Sequence, residues 1–415
     1  MKHDATAPDD EKPAVLRGRL TVISHKRHDQ CGRKFTVVGG FATLKQEFAR
    51  YVEEVHLCVP VFARTNQGYP ANYPHNVSVV PLPPYESRTQ LAMNLPTVIR
   101  TLWREIGRAD LVYAMCPNDT GMLGLLLARL RRKPVFVSID TNRAGKARAA
   151  YGGKWPGRVK AWLIERTVHF LLRRLASGIP GYVSGDLFLG PQPNWRQWVK
   201  TTVTSRELLP LKLPNPANLH RLRVVFIGRL APEKNIPCLI RAGALVANGG
   251  LAIEVTIVGE GDERSMLERA CRTYDAGFVR FAGPMDHREL RRTRLLDSDV
   301  LVLPSREERQ GKVLLEAMAY SVPVIGARAG GIPSVIQDGE TGLLFDPNSA
   351  EELAECLCRI ARDGVLRSRL VERAYRFACA NTLDQSTAWI IRDVSLFYGL
   401  RIDTHVPGAG GRGYG

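Results

Sequence analysis

The sequence predicts an α/β protein of two doubly wound domains, each a parallel sheet between layers of helices. Three observations predict it. The chain of 415 residues exceeds the roughly 100 to 200 residues of an ordinary domain. Short runs rich in Val, Ile and Leu alternate with helix-length segments throughout, as expected for strands covered on both faces. A polar, proline-bearing stretch at 204–224 separates two series of runs, which places the domain boundary near residues 210 to 220.

The apolar runs give the predicted strands in order. The first series lies at 19–24, 55–61, 77–82, 111–115 and 134–139, and the second at 223–228, 254–259, 279–283, 299–304, 323–327 and 342–345. This division predicts a first domain at 18–215 and a second at 216–383. The segments 1–17 and 406–415 carry too little apolar sequence to pack, so we expect disordered tails there.

Composition narrows the class of protein. The composition, 45% hydrophobic and 24% charged residues, is typical of a soluble globular protein. The chain has no apolar run near the ~18 residues that cross a bilayer and no secretory signal at its start, so we expect a cytoplasmic protein. The eight cysteines lack metal-ligand spacing, which favours reduced thiols. A net charge of +17 indicates an anionic partner such as a phosphate-bearing molecule, nucleic acid or membrane surface.

One basic segment, 157–175, is amphipathic. Its apolar residues recur at helical spacing, and basic residues lie among them: Val159, Trp162, Leu163, Phe170 and Leu171, with Arg158, Lys160, Arg166, Arg173 and Arg174. Such a helix can lie on a membrane interface. It can equally face a core with a solvated basic side, and the pattern alone does not decide between the two.

Ligands of open parallel sheets bind beyond the carboxyl ends of the strands, so the residues that follow each strand are candidates for a site. Arg229 and Lys234 follow the run at 223–228 and precede a helix-like segment. Two cations beside a helix N-terminus suit a diphosphate, although a solvated basic loop has the same composition. The turn with Gly259 and Gly261 follows the next run, where glycine permits close approach of the backbone to a ligand or simply a turn.

Glu308 and Glu316 follow the run at 299–304 in the stretch "EERQGKVLLEAMA". Glu316 lies among apolar residues, and a buried carboxylate is costly without a hydrogen-bond partner. Ribose hydroxyls could supply that partner, as could a nearby Arg or backbone donor. Glu308 lies in the loop, where an exposed carboxylate is the ordinary case. Asp297 and Asp299 form a pair of carboxylates of the kind that binds a metal, but they precede the strand and so lie at the opposite end of the sheet from this site. We therefore expect no metal.

These pieces together resemble a known family. The segments "GRLAPEKN", "VTIVGEGDERSMLE", "VRFAGPM" and "SDVLVLPSREERQGKVLLEAMAYSVPVIGARAGGIPSVIQDGETGLLF" are similar, in order and spacing, to the nucleotide-sugar-binding half of the retaining glycosyltransferases of family 4. The resemblance runs from about 223 to 362. It implies the GT-B fold, two Rossmann-like domains facing across a cleft, and metal-independent transfer of a sugar from a nucleotide-diphosphate sugar to an acceptor hydroxyl, without a cofactor.

The resemblance also implies roles for single residues. Arg229 and Lys234 correspond to the basic pair on the donor diphosphate, Glu308 to the glutamate beside the transferred sugar, and Glu316 to the one on the ribose. It further implies a terminal helix at about 384–402 that returns to the first domain. The remaining implied donor-binding positions are Gly259, Gly261, Gly283, Met285, Gly311, Lys312, Val313, Gly330 and Gly331.

The first half resembles the family less closely. Gly39 and Gly40 precede a helix-like segment, as in the family's glycine loop at the cleft, and Asn118 and Asp140 follow strands where they could face an acceptor. We expect a saccharide or lipid-linked saccharide acceptor and an anionic membrane surface as partners, with a role in cell-surface polysaccharide or glycolipid synthesis.

Two other interpretations stay open. Many family members carry glycine after the first glutamate, whereas this chain carries Arg309. The Arg309 side chain would either crowd the sugar or bind an acidic one. If it crowds the sugar, the protein would be a non-catalytic binding or partner subunit. A basic nucleic-acid-binding protein would explain the charge, but aromatics make up only 7% of the chain and do not interleave with the basic residues.

Overall fold

The computed structural model describes residues 15–32, 34–37, 41–63, 69–139, 155–185, 192–285 and 294–403. Over these ranges the chain forms two sheets, one from each half of the sequence. The expected tail at 406–415 and residues 1–14 of the expected N-terminal tail lie outside the described residues. Residues 15–17 were expected in that tail and instead begin the first strand, because Leu16 packs into the core of the first half.

The first sheet is mixed. Its strands are β1 Val15–Ile23, β2 His28–Cys31, β3 Lys34–Val37, β4 Val52–Ala63, β5 Tyr69–Pro70, β6 Val77–Leu82, β7 Leu111–Cys116, β8 Val135–Ile139, β9 Gly181–Val183 and β10 Trp195–Gln197. The order is β10-β9-β8-β7-β1-β4, with β6 also paired to β4. The five predicted strands are β1, β4, β6, β7 and β8. The sequence analysis missed β2, β3 and β5, an antiparallel ribbon joined to the carboxyl end of β4, and the short β9 and β10.

Helices cover this sheet: α1 Phe41–Phe48, α2 Arg88–Met93, α3 Leu95–Arg108, α4 Asp119–Leu130 and α5 Trp155–Leu175. Local sequence sets their ends. Ser87 and Gln90 form a capping box at the start of α2, so each side chain accepts a backbone N–H of the first turn. Val98, Leu102 and Ile106 recur every four residues of α3 and are buried, which turns one face of that helix toward the sheet.

The second sheet is parallel throughout, and its six strands match the six predicted runs. They are β11 Arg221–Ile227, β12 Ala252–Val258, β13 Val279–Gly283, β14 Val300–Leu303, β15 Val324–Ala327 and β16 Leu343–Phe345. The associated helices are α6 Ile236–Asn248, α7 Arg264–Thr273, α8 Lys312–Ala319, α9 Ala350–Arg362 and α10 Gly364–Ala380. The order β13-β12-β11-β14-β15-β16 reverses direction between β11 and β14. A parallel sheet binds ligands at such a switch point.

The chain crosses between the two halves twice. Trp198 belongs to the core of the first half and Val203 to that of the second, so the change occurs earlier than the boundary expected near residue 215. The return leads into α11 Leu383–Tyr398 and the two-residue strand β17 Ile402–Asp403, which pairs with β1. The helix expected at about 384–402 therefore ends at Tyr398, because Gly399 adopts a left-handed conformation that closes it.

The two crossings lie side by side. The Leu383 N–H donates to the Val203 carbonyl at 2.8 Å, and the Ser205 N–H donates to Asp384 Oδ1 at 2.8 Å. Helix α11 then buries its apolar face in the core of the first half. Asp393 on this helix accepts a hydrogen bond from the Tyr182 hydroxyl at 2.7 Å. These contacts attach the C-terminal segment to the first sheet.

Candidate active site

Two loops meet at the switch point of the second sheet, one after β11 and one after β14. Lys234 ends the first loop and Glu308 lies in the second. The Lys234 ammonium and Glu308 Oε2 form an ion pair in which both side chains are only 17% exposed. Two predicted site residues that lie far apart in the sequence are therefore in direct contact. Their partial burial strengthens the attraction relative to a pair on the open surface.

The sequence analysis missed the residue that positions Lys234. Asn235 is buried, adopts a left-handed conformation with φ 52°, and stands before the first turn of α6. Its Nδ2 donates to the Pro304 carbonyl at 3.2 Å and the Pro347 carbonyl at 2.8 Å. Asn tolerates this backbone conformation better than most residues, so an Asn just before a helix was the available signal. The side chain holds the Lys234 loop against the end of β14.

Arg229 lies apart from the Lys234 and Glu308 pair. Its guanidinium pairs with Glu233 and is largely exposed. Burial alone would raise the pKa of Glu233, but a backbone N–H and the Arg229 guanidinium hydrogen-bond its carboxylate and hold the pKa below its usual range. The Glu233 carbonyl in turn accepts the Arg306 N–H at 2.9 Å. Arg229 therefore lies at the rim of the same loop, facing solvent.

Glycines beside Glu308 are explained by close contacts between backbone segments. A Cβ on Gly330, whose φ is 53°, would stand 2.2 Å from the Glu308 carbonyl oxygen, and one on Gly331 would stand 1.7 Å from that of Arg309. The Gly331 N–H donates to the Glu308 carbonyl at 2.9 Å. The two glycines thus lie against the Glu308 loop, and any side chain there would displace it.

Glu316 lies on α8 and is buried. Its Oε1 accepts a hydrogen bond from the Thr202 hydroxyl at 2.5 Å. Thr202 belongs to the first crossing and was not among the predicted residues. Gly311 precedes α8 with φ 71°, and a Cβ there would stand 2.7 Å from the Leu303 side chain. Exposed Lys312 and half-buried Val313 form the first turn of α8.

The remaining predicted donor positions lie at the ends of β12 and β13. Gly259, with φ 139°, would place a Cβ 1.9 Å from the Gly228 carbonyl oxygen, and Gly261 would place one 2.2 Å from that of Leu230. These glycines therefore permit the loops after β11 and β12 to touch each other. Gly283, with φ 73°, accepts the Gly259 N–H at 2.8 Å and has open space where a Cβ would stand. Met285 packs at the edge of the second core.

The carboxyl edge of the first sheet faces this site through the residues after β9. A Cβ on Gly185, whose φ is 90°, would stand 2.1 Å from the Arg309 carbonyl oxygen. Of the predicted residues of the first half, Gly39, Gly40 and Asp140 lie outside the described residues. Asn118 is engaged locally: its Oδ1 accepts the Gly121 N–H at 2.7 Å as the cap of α4, and its Nδ2 donates to the Met115 carbonyl.

Asp299 directly precedes β14, at the edge opposite the site, as the sequence indicated. Its carboxylate pairs with Arg223, with Arg223 Nη2 2.8 Å from Asp299 Oδ1. Over the ranges that the structure describes, no three His, Cys, Asp or Glu side chains cluster as metal ligands would. Within the same ranges, no helix combines the length and hydropathy required to cross a bilayer.

Residues 213–377 match the family described as glycosyl transferases group 1. The sulfoquinovosyl transferase SQD2 of Arabidopsis thaliana is 27% identical over 347 residues, which cover 79% of this chain and 65% of that protein. The lipopolysaccharide core biosynthesis glycosyltransferase LpsE of Rhizobium meliloti (strain 1021) is 34% identical over 165 residues, 40% of this chain and 46% of that protein. The chain thus spans less than two thirds of each relative.

Solved structures share the fold over nearly the whole chain. The sucrose-phosphate synthase of Thermosynechococcus elongatus superposes with a TM-score of 0.68 at 19% identity and covers 92% of this chain and 100% of its own. Anabaena HepE in complex with UDP and glucose gives 0.62 at 18% identity, with the same coverage. The predicted fold class, two doubly wound domains in the GT-B arrangement, is confirmed.

Proposed function

We propose that this chain, whose residues 213–377 belong to the group 1 glycosyltransferases, transfers a sugar from a nucleotide-diphosphate sugar to an acceptor hydroxyl with retention. The observation that carries the proposal is the Lys234 and Glu308 ion pair at the switch point of the second sheet. It supports the proposal because a cation and a carboxylate meet where a parallel sheet binds its ligand. HepE, whose structure holds UDP and glucose, has the same fold.

The proposed chemistry needs stabilisation of the charge that builds on the departing diphosphate. Lys234 supplies an ammonium group with three donors, and α8 begins directly after the Glu308 loop, at Gly311, where the N-terminus of a helix favours negative charge. A donor that binds there takes the ammonium from Glu308, which frees the carboxylate for the sugar. Fixed donors stabilise developing charge without reorganisation. An oxygen of the departing phosphate takes the acceptor proton, so we assign no protein base and no metal.

We assign Glu316 to the nucleotide end of the donor. Its buried carboxylate has one oxygen held by Thr202, and we assign it to vicinal ribose hydroxyls. A carboxylate can accept several hydrogen bonds at once, so contact with Thr202 leaves acceptor capacity for a ribose. Arg229, exposed at the rim, is assigned to the diphosphate from the solvent side.

The test is nucleotide release from a panel of UDP-, GDP- and ADP-sugars. Wild type should release the nucleotide from one of them, and Glu316→Ala should release it far more slowly. Glu355→Ala, which changes an exposed glutamate on α9, is the matched control and should equal wild type. Binding of a nucleoside diphosphate without release from any sugar would instead indicate a non-catalytic subunit. The absence of both would exclude the donor site.

We further propose that the protein works at an anionic membrane on a lipid-linked saccharide. Leu172 packs α5 into the core of the first half, but five other apolar residues of the helix are exposed: Val159, Trp162, Leu163, Phe170 and Leu171. Exposed Arg166 and Arg174 lie among them, and the Arg166 guanidinium stacks over the Trp162 ring at 4.9 Å. Exposed apolar residues with interleaved cations suit the interface of an anionic bilayer.

Co-sedimentation with vesicles tests this surface. The protein should bind phosphatidylglycerol vesicles at low salt and bind phosphatidylcholine vesicles weakly. Leu163→Ser should lower the affinity about tenfold, since it removes one side chain from the apolar contact. Leu396→Ser is the control, because that leucine is also exposed but lies on α11. A protein that stays in the supernatant with anionic vesicles at low salt would contradict the membrane proposal and leave the donor chemistry intact.

A further inference from the structure

Gln310 links the donor-site loop to the other half of the molecule. Its side chain is only 3% exposed. The carboxamide oxygen accepts the Lys200 N–H at 2.7 Å and the Ser184 hydroxyl at 3.0 Å, and the carboxamide nitrogen donates to the Trp198 carbonyl at 3.0 Å. Ser184 follows β9 of the first sheet, and the other two partners lie on the first crossing. All three contacts therefore join the two halves.

Only a carboxamide satisfies this set of partners. The Lys200 N–H can only donate, and the Trp198 carbonyl can only accept. The side chain between them must present an acceptor and a donor at fixed positions, which a carboxylate or a thioether of similar length cannot do at neutral pH. Loss of the carboxamide would remove the acceptor of the Lys200 N–H and leave the Trp198 carbonyl with the longer contact from the Ser184 hydroxyl at 3.4 Å.

A second hydrogen bond links the same stretch of chain to the helix α8. Thr202, two positions beyond Lys200, donates to Glu316 at 2.5 Å. The short stretch 198–202 therefore contacts both the loop next to Glu308 and the helix that carries Glu316. We define the donor-site unit as residues 308–316 and the crossing segment as residues 198–202.

We propose that Gln310 and Thr202 are positioning residues that hold the donor-site unit against the crossing segment, each for a different end of the donor. The inference rests on the proposed function. Gln310 is two residues from Glu308, so it sets the loop at the transferred sugar. Thr202 holds the Glu316 carboxylate itself, so it sets the group at the ribose. Displacement of a positioned group by about 1 Å can cost roughly 100-fold in rate.

The two residues should therefore give opposite kinetic signatures. Gln310→Met should lower kcat about 10- to 100-fold and leave the affinities for UDP, GDP and ADP within about twofold of wild type, which is within normal scatter for an untouched contact. Thr202→Val should weaken binding of the preferred nucleoside diphosphate about tenfold, as expected for one hydrogen bond to a charged group. Thr202→Ser should restore it, because serine keeps the hydroxyl. A merely structural role would lower the melting temperature in both without separating kcat from affinity.

A further variant gives a pH signature. Gln310→Glu keeps an acceptor for the Lys200 N–H but, when ionised, directs an oxygen at the Trp198 carbonyl. Protonation of that carboxyl supplies the missing donor. The kcat of Gln310→Glu should therefore rise as the pH falls through the pKa of the new group, an inflection that wild type lacks. This variant also covers the case in which Gln310→Met does not fold.

Calorimetry with each nucleoside diphosphate and steady-state kinetics with the preferred donor, on folded protein at matched temperature, complete the test. Gln337→Met makes the same change at an exposed glutamine and should equal wild type. Equal kcat for Gln310→Met and Gln337→Met overturns the inference, as does a parallel loss of kcat and affinity at both positions. A wild type that binds no nucleotide and releases none overturns the proposed function as well; an active wild type with an insensitive Gln310 overturns only the positioning role.

Discussion

The two halves of the molecule share the alternation of strand and helix but differ in how their strands end. In the second sheet all strands are parallel, and the loops after β11 and β14 meet directly in the Lys234 and Glu308 pair. In the first sheet the carboxyl end of β4 pairs with β2, and β2, β3 and β5 form an antiparallel ribbon that extends the sheet. One half therefore presents charged loops at its edge, and the other extends its sheet there.

The ribbon has a polar interior of its own. His28 is fully buried, its Nδ1 lies 2.9 Å from the Lys26 carbonyl, and its Nε2 lies 2.7 Å from the Tyr73 hydroxyl. The carbonyl can only accept, so Nδ1 carries the proton and the Tyr73 hydroxyl donates to Nε2. Both ring nitrogens of His28 thus have hydrogen-bond partners within the protein. Among the described residues, the second half thus brings together the charged pair that we assign to a ligand, whereas His28 and Tyr73 of the ribbon bond to each other within the fold.

The largest expected effect is in the second half. Lys234→Met removes the ammonium that we assign to the diphosphate and leaves Glu308 as a partly buried carboxylate without its ion-pair partner. We expect kcat to fall about 100- to 1000-fold, the range for loss of one preorganised electrostatic group. Nucleotide release from the preferred donor measures it.

The control for this change is Lys212→Met, which alters an exposed lysine outside the loop and should leave kcat unchanged. Differential scanning calorimetry checks that Lys234→Met is folded at the assay temperature. A folded Lys234→Met with wild-type kcat would remove the electrostatic contrast between the two halves.

A substitution of a predicted site residue in the first half, Asn118→Ala, should lower stability and leave nucleotide binding unchanged. Asn118→Ala removes the cap of α4 and should lower the free energy of unfolding by about 0.5–2 kcal/mol, with the affinity for the nucleoside diphosphate unchanged. Chemical denaturation and calorimetry measure the two quantities. The sequence analysis assigned Asn118 to the acceptor, so a fall in kcat/KM for the acceptor at unchanged stability would return it to that role and weaken the contrast.

The sequence predicted the strands of the second half more completely than those of the first half. All six strands of the second sheet were recognised because each is a largely apolar run between longer segments. The ribbon was missed because segments such as "HDQC" of β2 are polar in composition, and only the fold supplies the partners that bury them. His28 meets Tyr73 across 45 positions of sequence, a separation that no local pattern reports.

Candidate site residues were named from the sequence where their own type and position indicate a role, and were missed where only a tertiary contact indicates it. Glu308, Glu316 and Lys234 stand out because charged residues follow strands at a switch point. Gln310 and Thr202 do not, since their partners Lys200 and Glu316 lie 110 and 114 positions from them in the sequence. The α5 helix shows the same limit: its pattern allowed either a buried or an exposed apolar face, and the tertiary structure leaves that face exposed.

The smallest expected effect tests the ribbon. Burial is the main cause that lowers the pKa of His28, opposed by its hydrogen bond to Lys26 and by Asp29. The folded pKa therefore lies below the unfolded value near 6.5. Above pH 6.5 neither state binds the proton, and the stability that depends on neutral His28 is complete. As the pH falls below 6.5, the unfolded state takes up the proton first, so the free energy of unfolding decreases until the folded pKa is reached.

Between pH 6.5 and 5.5 wild type should lose stability from His28, by at most about 1.4 kcal/mol for one proton over one pH unit, and His28→Gln should lack this loss. Urea denaturation of both proteins at the two pH values gives the difference directly, with other titrating groups cancelling because they are common to both. Kinetics add the decisive contrast: if the ribbon serves the fold alone, kcat of folded His28→Gln at pH 7.5 equals that of wild type. A fall in kcat there would show that the ribbon also shapes the cleft, and the two halves would then share the work of the site.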